Sequence, residues 1–379
     1  MTYDKPYPRL WAGADSSGNT PTPISPTALD KIDKGILDAH AELDGRLSEE
    51  ELNNTIDAMV GGYASDSRRT PSFTRLNDGN PVLTQATQNP VAGAAVAPNI
   101  YWPSIINTAA AGLVGSLDNY YLYLTTDHSV GGIYLFTAPT PIGPWTGRGK
   151  VYDDPVGPTG NGSAETATVY VDPTGATKLM MLYQIAQATG AVGTQSTIWA
   201  SSNDGITWTR GAIALDITPS TPGDGHTGYA KVTVVGTAVY VHSLRGGGNI
   251  PNFGLWVSYD GGRTFSSVAM LGLGRDVIPA GRRIEWNTTS IFRQYGQLWW
   301  VGMLADYVSG STPKDARLAV APISEDLRHL LAPPRTILFP TQGAEVTNYR
   351  DVQLFLDVDG RGYLYYQCGN SFYVAGLDK

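Results

Sequence analysis

From about residue 80 onward the apolar positions fall into short runs separated by polar connections that contain Gly and Pro. Runs of that kind, bounded by turn residues, read as β-strands. Five stand out for aromatic and β-branched content: YYLYLTT from Tyr120, LMMLYQ from Leu179, AVYVHS from Ala238, LWWVGM from Leu298 and YLYYQ from Tyr363. A Gly-containing turn precedes four of them, at DPTG from Asp172, VVG from Val234, QYG from Gln294 and DVDG from Asp357. After four of them comes a third strand, IYLFT, TIWAS, GLWVS or RLAVA, leading into GPW, two related hairpins or SEDL. The unit recurs at about 50 residues, a usual blade length. The chain is therefore expected to be all-β, a five-bladed β-propeller of four-stranded blades over 81–379. Six shorter blades are the alternative, and the number of aromatic second strands goes against it.

Counting five blades makes the last run, SFYVAGL from Ser371, the third strand of blade five. Its missing fourth strand can come from SFTRLNDGNPVL at 72–83, which would close the ring and remove two exposed sheet edges. Upstream the period changes. Residues 1–26 are rich in Pro, Thr, Ser and Gly and read as an extended arm. From Thr27, Leu29, Ile32, Ile36, Ala39 and Leu43 alternate spacings of three and four, a seam of about two heptads. Ser48 and Glu51 form a capping box for a second helix through Leu52, Ile56 and Met59, which Gly61 and Gly62 stop. A helix so short needs a partner, either another copy of the chain or a host particle, and packing on its own domain is the alternative. The expected organisation is an arm at 1–26, a helical attachment segment at 27–62, a linker with the ring-closing strand at 63–80, and the propeller.

Two turns repeat, SSNDGITW at 201–208 and SYDGGRTF at 258–265. Asn203 or Asp260 can fold back onto turn amides, and Gly205 or Gly262 can take positive φ. Trp208 and Phe265 then peg each hairpin into the core. Both turns resemble the Asp-box of sialidase-type propellers. Three arginines able to clamp a carboxylate are not identifiable, so the resemblance supplies scaffold rather than chemistry.

Composition narrows the classes. With 44 Gly, 25 Pro, 21 Tyr and 9 Trp but only 16% charged residues, a turn-rich β-protein fits better than a helical enzyme. Net charge is −8 with no Lys/Arg block, which argues against a nucleic-acid partner. Cys368 is the only cysteine, so neither an intramolecular disulfide nor a cysteine zinc site is available. No apolar signal segment opens the sequence and no stretch approaches a membrane span. The expectation is a soluble protein made in a reducing cytoplasm.

Successive loops of a propeller alternate faces. The DPTG and DVDG turns share a face with the two hairpin turns, and all are short. The opposite face gathers the starts of the first strands and the loops leaving the second strands, which are long and polar, as binding loops usually are. First-strand starts offer Trp102, Glu165, His226, Glu285 with Trp286, and Arg350 with Asp351. Second-strand ends offer Asp127 with His128, Gln184, Arg245, and Asp306 with Tyr307. Carboxylates, cations and flat aromatics around one axis suit a carbohydrate. Glu285 or Asp351 can equally pair with Arg350 or Arg283. Trp299 and Trp300 alternate faces, so at least one belongs to the core, and His242 in VYVHS is expected in a blade interface.

Over about 80–379 the chain resembles five-bladed glycosidases of the arabinanase, xylosidase and fructosidase type. NPVL at 81, YYLYLTT, the TAPTPIGPW hairpin at 137–145, and the DPTG and DVDG turns carry that resemblance. It implies an Asp base on blade one, an Asp modulator on blade two and a Glu acid on blade three. Trp102, Glu165, His226, Glu285 and Arg350 stand at the corresponding starts, and only Arg350 matches in kind. Glu165 and Glu285, with Asp351 as substitute, are the carboxyl pair a hydrolase would use. Separately, TPISPTALDKIDKGILDAHAEL at 22–43 resembles the N-terminal segment of bacteriophage tail fibres and minor tail proteins. That resemblance implies a virion tail protein, homotrimeric through residues 1–62, whose propeller meets host cell-surface polysaccharide. A virion-borne glycoside hydrolase is the alternative. No cofactor is implied, although the propeller axis is where a Ca²⁺ would sit.

Overall fold

The computed structural model describes residues 70–84, 100–126, 132–154, 164–186, 195–216, 227–245, 252–271, 273, 277–278, 282–284, 289–306, 314–338, 349–369 and 371–378. The expected arm and helical segment lie outside the described residues.

Two short strands come first, β1 (Phe73–Arg75) and β2 (Leu83–Thr84). Blade one is β3 (Ile100–Asn107), β4 (Tyr120–Thr126), β5 (Ile133–Ala138) and β6 (Thr146–Tyr152). Blade two is β7 (Glu165–Val171), β8 (Leu179–Ala186), β9 (Gln195–Ser202) and β10 (Thr209–Leu215). Blade three is β11 (Lys231–Val235), β12 (Ala238–Arg245), β13 (Asn252–Ser258) and β14 (Ser266–Leu271). Blade four has a split first strand, β15 (Arg282–Ile284) and β16 (Ser290–Gln294), then β17 (Gln297–Asp306), β18 (Lys314–Pro322) and β19 (Arg335–Leu338). Blade five is β20 (Tyr349–Leu356), β21 (Gly362–Cys368) and β22 (Ser371–Leu377). Every sheet pairs antiparallel in chain order, with β1 and β2 in the outermost place beside β22. Phe73 lies opposite Leu377 and Leu83 opposite Phe372, so the start of the described chain completes the last blade. The result is an all-β, five-bladed propeller.

First strands are innermost: β3, β7, β11, β16 and β20 touch in sequence around the ring. Hydroxyls stitch them together. Ser104 Oγ accepts from Val169 N at 2.8 Å, Thr168 Oγ1 donates to Ala230 O at 2.6 Å, and Ser290 Oγ accepts from Leu354 N at 3.0 Å.

Five buried clusters hold the ring, one between each pair of neighbouring blades. The period-two alternation of a strand, with both faces buried, explains why the second strands are apolar along most of their length. Tyr121 and Tyr123 of β4 face blade two, whereas Leu122 and Leu124 face blade five. Trp299 and Trp300 divide the same way, Trp299 toward blade five and Trp300 toward blade three. Both tryptophans are core. Burying a side chain of this class contributes about 1.5–3 kcal/mol, which gives the ring its cohesion.

The paired turns bind each blade to the one before it. Ser258 Oγ accepts from Gly262 N, and Asp260 Oδ1 accepts from Arg263 N and Thr264 N at 2.9 and 3.0 Å. In the first copy the aspartate doing this is Asp204, which takes Ile206 N and Thr207 N at 2.8 and 2.7 Å, not Asn203. Asn203 instead accepts from Lys178 N, because this turn is one residue tighter between its serine and its glycine. Tyr123 Oη of blade one donates to Gly205 O at 2.8 Å, and Tyr170 Oη of blade two to Gly261 O at 3.0 Å. Arg263 also reaches back to Asp172 at 2.9 Å. Burial raises the Asp172 pKa, but the Thr174 hydroxyl and the Arg263 guanidinium outweigh it and hold the carboxyl at about 2.

Candidate functional site

Four first strands begin with the same distortion. In β3 the register steps between Tyr101 and Ser104, in β7 between Glu165 and Thr168, and in β20 between Arg350 and Gln353. Just ahead of β11, Leu244 N bonds to Gly228 O while Lys231 pairs with His242, which is the same one-residue step. Each step is a β-bulge, and its first residue lies in the left-handed region: Trp102 at φ 55°, Thr166 at 49°, Tyr229 at 54° and Asp351 at 49°. Non-glycine residues seldom adopt this conformation, and a β-branched threonine least readily. Such strain costs about 1–3 kcal/mol per residue and gathers where a fold re-aims a side chain.

The bulges bring one cluster together. The Trp102 ring lies 5.9 Å from the Tyr229 ring, tilted 60°, and 5.2 Å from Tyr101. Tyr229 N donates to Gln184 Oε1 at 3.1 Å, and Gln184 Nε2 donates to Glu165 Oε2 at 3.2 Å. Thr166 N donates to Thr125 Oγ1 at 3.1 Å. Glu165, Gln184 and Asp351 are at most 1% exposed. Lys231 is buried as well, and it is Lys231 whose charge reaches Asp351. Burial lowers the Lys231 pKa to about 8, and the Asp351 carboxylate limits the fall. Asp351 thus faces a cation from blade three; the Arg350 and Arg283 side chains lie outside the described residues. Among the described residues, the Trp102 Nε1 and Thr166 Oγ1 atoms are buried and accept or donate no protein hydrogen bond.

Of the residues expected at this face, Trp102, Glu165 and Gln184 come together through Tyr229, and Asp351 faces Lys231 at the same ends of the inner strands. Arg245, Asp306 and Arg350 are placed by backbone register, opposite Asn252, Arg282 and Gln367, at the same ends of their strands. Asp127, His128, His226, Glu285, Trp286 and Tyr307 lie outside the described residues. Thr166, Tyr229 and Lys231 were not foreseen. A signal existed for Thr166: it stands six positions before Asp172 of DPTG, as Asp351 does before Asp357 of DVDG. No three His, Cys, Asp or Glu side chains converge as metal ligands among the described residues. No helix among the described residues is long and apolar enough to cross a membrane.

No protein-family model and no curated protein matches the chain. Solved structures do. A glycosyl hydrolase from Bacteroides ovatus superposes with a TM-score of 0.57 at 12% identity, over 82% of this chain and 94% of that one. A putative glycoside hydrolase from Parabacteroides distasonis gives 0.56 at 14% identity, over 82% and 97%. An N-acetylgalactosamine deacetylase from F. plautii, solved with blood group B trisaccharide, gives 0.55 at 10% identity, over 81% and 95%. The likeness is one of fold.

Proposed function

We propose that the propeller is a carbohydrate-active module of glycoside-hydrolase type, which takes a glycan at the bulge-built cluster. The observation that carries this is that one end of the inner strands bears two buried carboxyl groups and a tilted aromatic pair. Sugar rings stack on Trp102 and Tyr229 through their C–H faces, and hydroxyls bond to Thr166, Glu165 and Gln184. In cleavage, Glu165 donates its proton to the glycosidic oxygen as the C–O bond breaks. Asp351 takes a proton from the attacking water, whose oxygen bonds to the anomeric carbon. A cation beside a buried carboxylate favours its charged form, which suits Asp351 as the base. The solved neighbours, with their glycoside hydrolases and a trisaccharide-bound deacetylase, support a carbohydrate ligand.

The test is release of new reducing ends from neutral and acidic polysaccharides. Glu165→Gln and Asp351→Asn should each lower the rate at least a hundredfold, in line with loss of a general acid or base. Full activity in both variants would refute the assignment.

A second reading, in which the module binds a glycan without cleaving it, has its own observation. At the first-strand starts, blade one offers Trp102 and blade three His226, where the glycosidase resemblance implies an Asp and a Glu. In that reading residues 1–62 attach a homotrimer to a virion tail, and the propeller presents the cluster to host cell-surface polysaccharide. Saturable glycan binding with no reducing ends, together with a trimer mass that falls when 1–62 are deleted, would favour it.

A further inference from the structure

The face that carries the short turns holds a cavity of about 650 Å³ at the seam of blades five and one, remote from the bulge cluster. Its wall is the hairpin Pro139–Ile142 after β5, and its rim is the β20–β21 turn with Asp357, Asp359 and Arg361. Tyr120 and Tyr363 line it with aromatic rings, and Leu76 and Leu377 line it as well. The volume lies within the range usual for small-ligand sites, about 300–1,000 Å³.

The walls are fixed. Phe355 stacks against Tyr363 at 6.4 Å and 28° and meets the Tyr120 edge at 6.2 Å. Tyr120 Oη donates to Asp357 Oδ2 at 2.6 Å, and Asn107 Nδ2 to Asp357 Oδ1 at 2.7 Å. Burial, then the Asp357 contact, pushes the Tyr120 pKa up, so this hydroxyl stays protonated. Tyr365 Oη donates to Pro141 O, and Asn119 Nδ2 to Pro139 O at 3.0 Å, which pins the hairpin. Asp359 and Arg361, by contrast, are largely exposed; their side chains meet at 3.5 Å, and Asp359 Oδ1 accepts from Arg361 N at 2.9 Å.

We infer that this cavity is a second carbohydrate site, built for a neutral saccharide. The Tyr363 ring and the steeply inclined Tyr120 ring, beside polar groups, match the apolar and polar faces of a sugar ring. The Asp359–Arg361 fork offers both acceptors and donors to vicinal hydroxyls. Two carboxylates against one guanidinium disfavour an acidic sugar. An extended peptide would want a free sheet edge, and β1 already occupies the outer edge of β22 here. The site does not depend on the chemistry assigned to the bulge cluster.

Calorimetric titration of the full chain tests it, with arabinohexaose, galactotetraose and N-acetylchitotetraose as neutral probes and oligogalacturonate as the acidic one. In the Glu165→Gln, Asp351→Asn background at least one neutral probe should bind, and oligogalacturonate should not. Adding Asp359→Ala with Arg361→Ala should weaken that binding about tenfold or more, with the β-sheet circular dichroism spectrum retained as the check that the variant is folded. Unchanged affinity in the rim variant, absence of binding by every neutral probe, or displacement by a proline-rich peptide would each overturn the inference. Loss of reducing-end release on Glu165→Gln reports on the other face only, so the two assignments fail independently.

Discussion

The buried imidazole of His242 should make the propeller lose stability on mild acidification. His242 is 1% exposed between blades three and four, and its Nε2 lies 3.0 Å from Leu327 O. A carbonyl only accepts, so Nε2 carries the proton and the ring is neutral. Burial pulls its pKa from 6.5 to about 4, against a small opposing pull from the Leu327 carbonyl. The folded pKa is depressed, so this contribution is complete above pH 6.5 and is lost as pH falls toward about 4. At about 1.4 kcal/mol per pH unit, the gap corresponds to about 3 kcal/mol. Asp172 and Asp260, held at about 2, are depressed too, but from 3.8, so their losses begin only below this window. Urea unfolding of the wild type and of His242→Gln, at pH 7.5, 6.5, 5.5 and 4.5, isolates the effect. Glutamine keeps an amide donor for Leu327 and does not titrate. Wild-type stability should fall by about 1.4 kcal/mol per unit below pH 6, and the variant should fall less steeply by that amount. Parallel profiles for the two proteins would refute the reasoning.

Tyr123→Phe removes the hydroxyl that joins blade one to Gly205 O and leaves a buried carbonyl unsatisfied, so the midpoint of thermal unfolding should drop by the equivalent of about 1–3 kcal/mol. Asp172→Asn should cost about 1.5–3 kcal/mol at pH 7 through the lost Arg263 pair. That deficit should shrink as pH falls from 3.8 toward 2, where the wild-type carboxyl also becomes neutral. Thr166→Gly should raise the unfolding free energy by about 1 kcal/mol by relieving a left-handed threonine, while weakening glycan binding; a stability loss instead would show that the Thr166 side chain supports the scaffold.

What could be read from the sequence follows from which residues are buried on both sides. The second strands sit between two interfaces, so Tyr121 to Leu124 and Trp299 to Val301 are apolar without a break and announce the repeat. Ring closure was legible for a related reason: SFYVAGL ended a blade one strand short, and SFTRLNDGNPVL was an unassigned strand. The bulges left no such trace. A one-residue step changes neither composition nor alternation over so few residues, and Thr166 in the left-handed region contradicts its own propensity. Lys231 was hidden differently: in KVTVV it reads as the polar face of an edge strand, and only the fold buries it toward Asp351. In the first paired turn, Asn203 and Asp204 have interchangeable chemistry, and the spacing to Gly205 decided between them.

The bulges join these observations into one argument. An inner strand of regular pleat would point alternate side chains into the two neighbouring interfaces, and nothing would be directed along the axis. One extra residue in the left-handed region turns a single side chain out of that alternation, and four blades do so at the same level. A strain of about 1–3 kcal/mol at each, kept in four blades with four unrelated side chains, is not required by the ring itself. On the proposed function, that strain serves what the side chains do. With the positions fixed by backbone and the residue types free to vary, Trp102, Thr166, Tyr229 and Asp351 are the side chains that, on the proposed function, would select the ligand, and the turn-face cavity would grip the same kind of ligand independently.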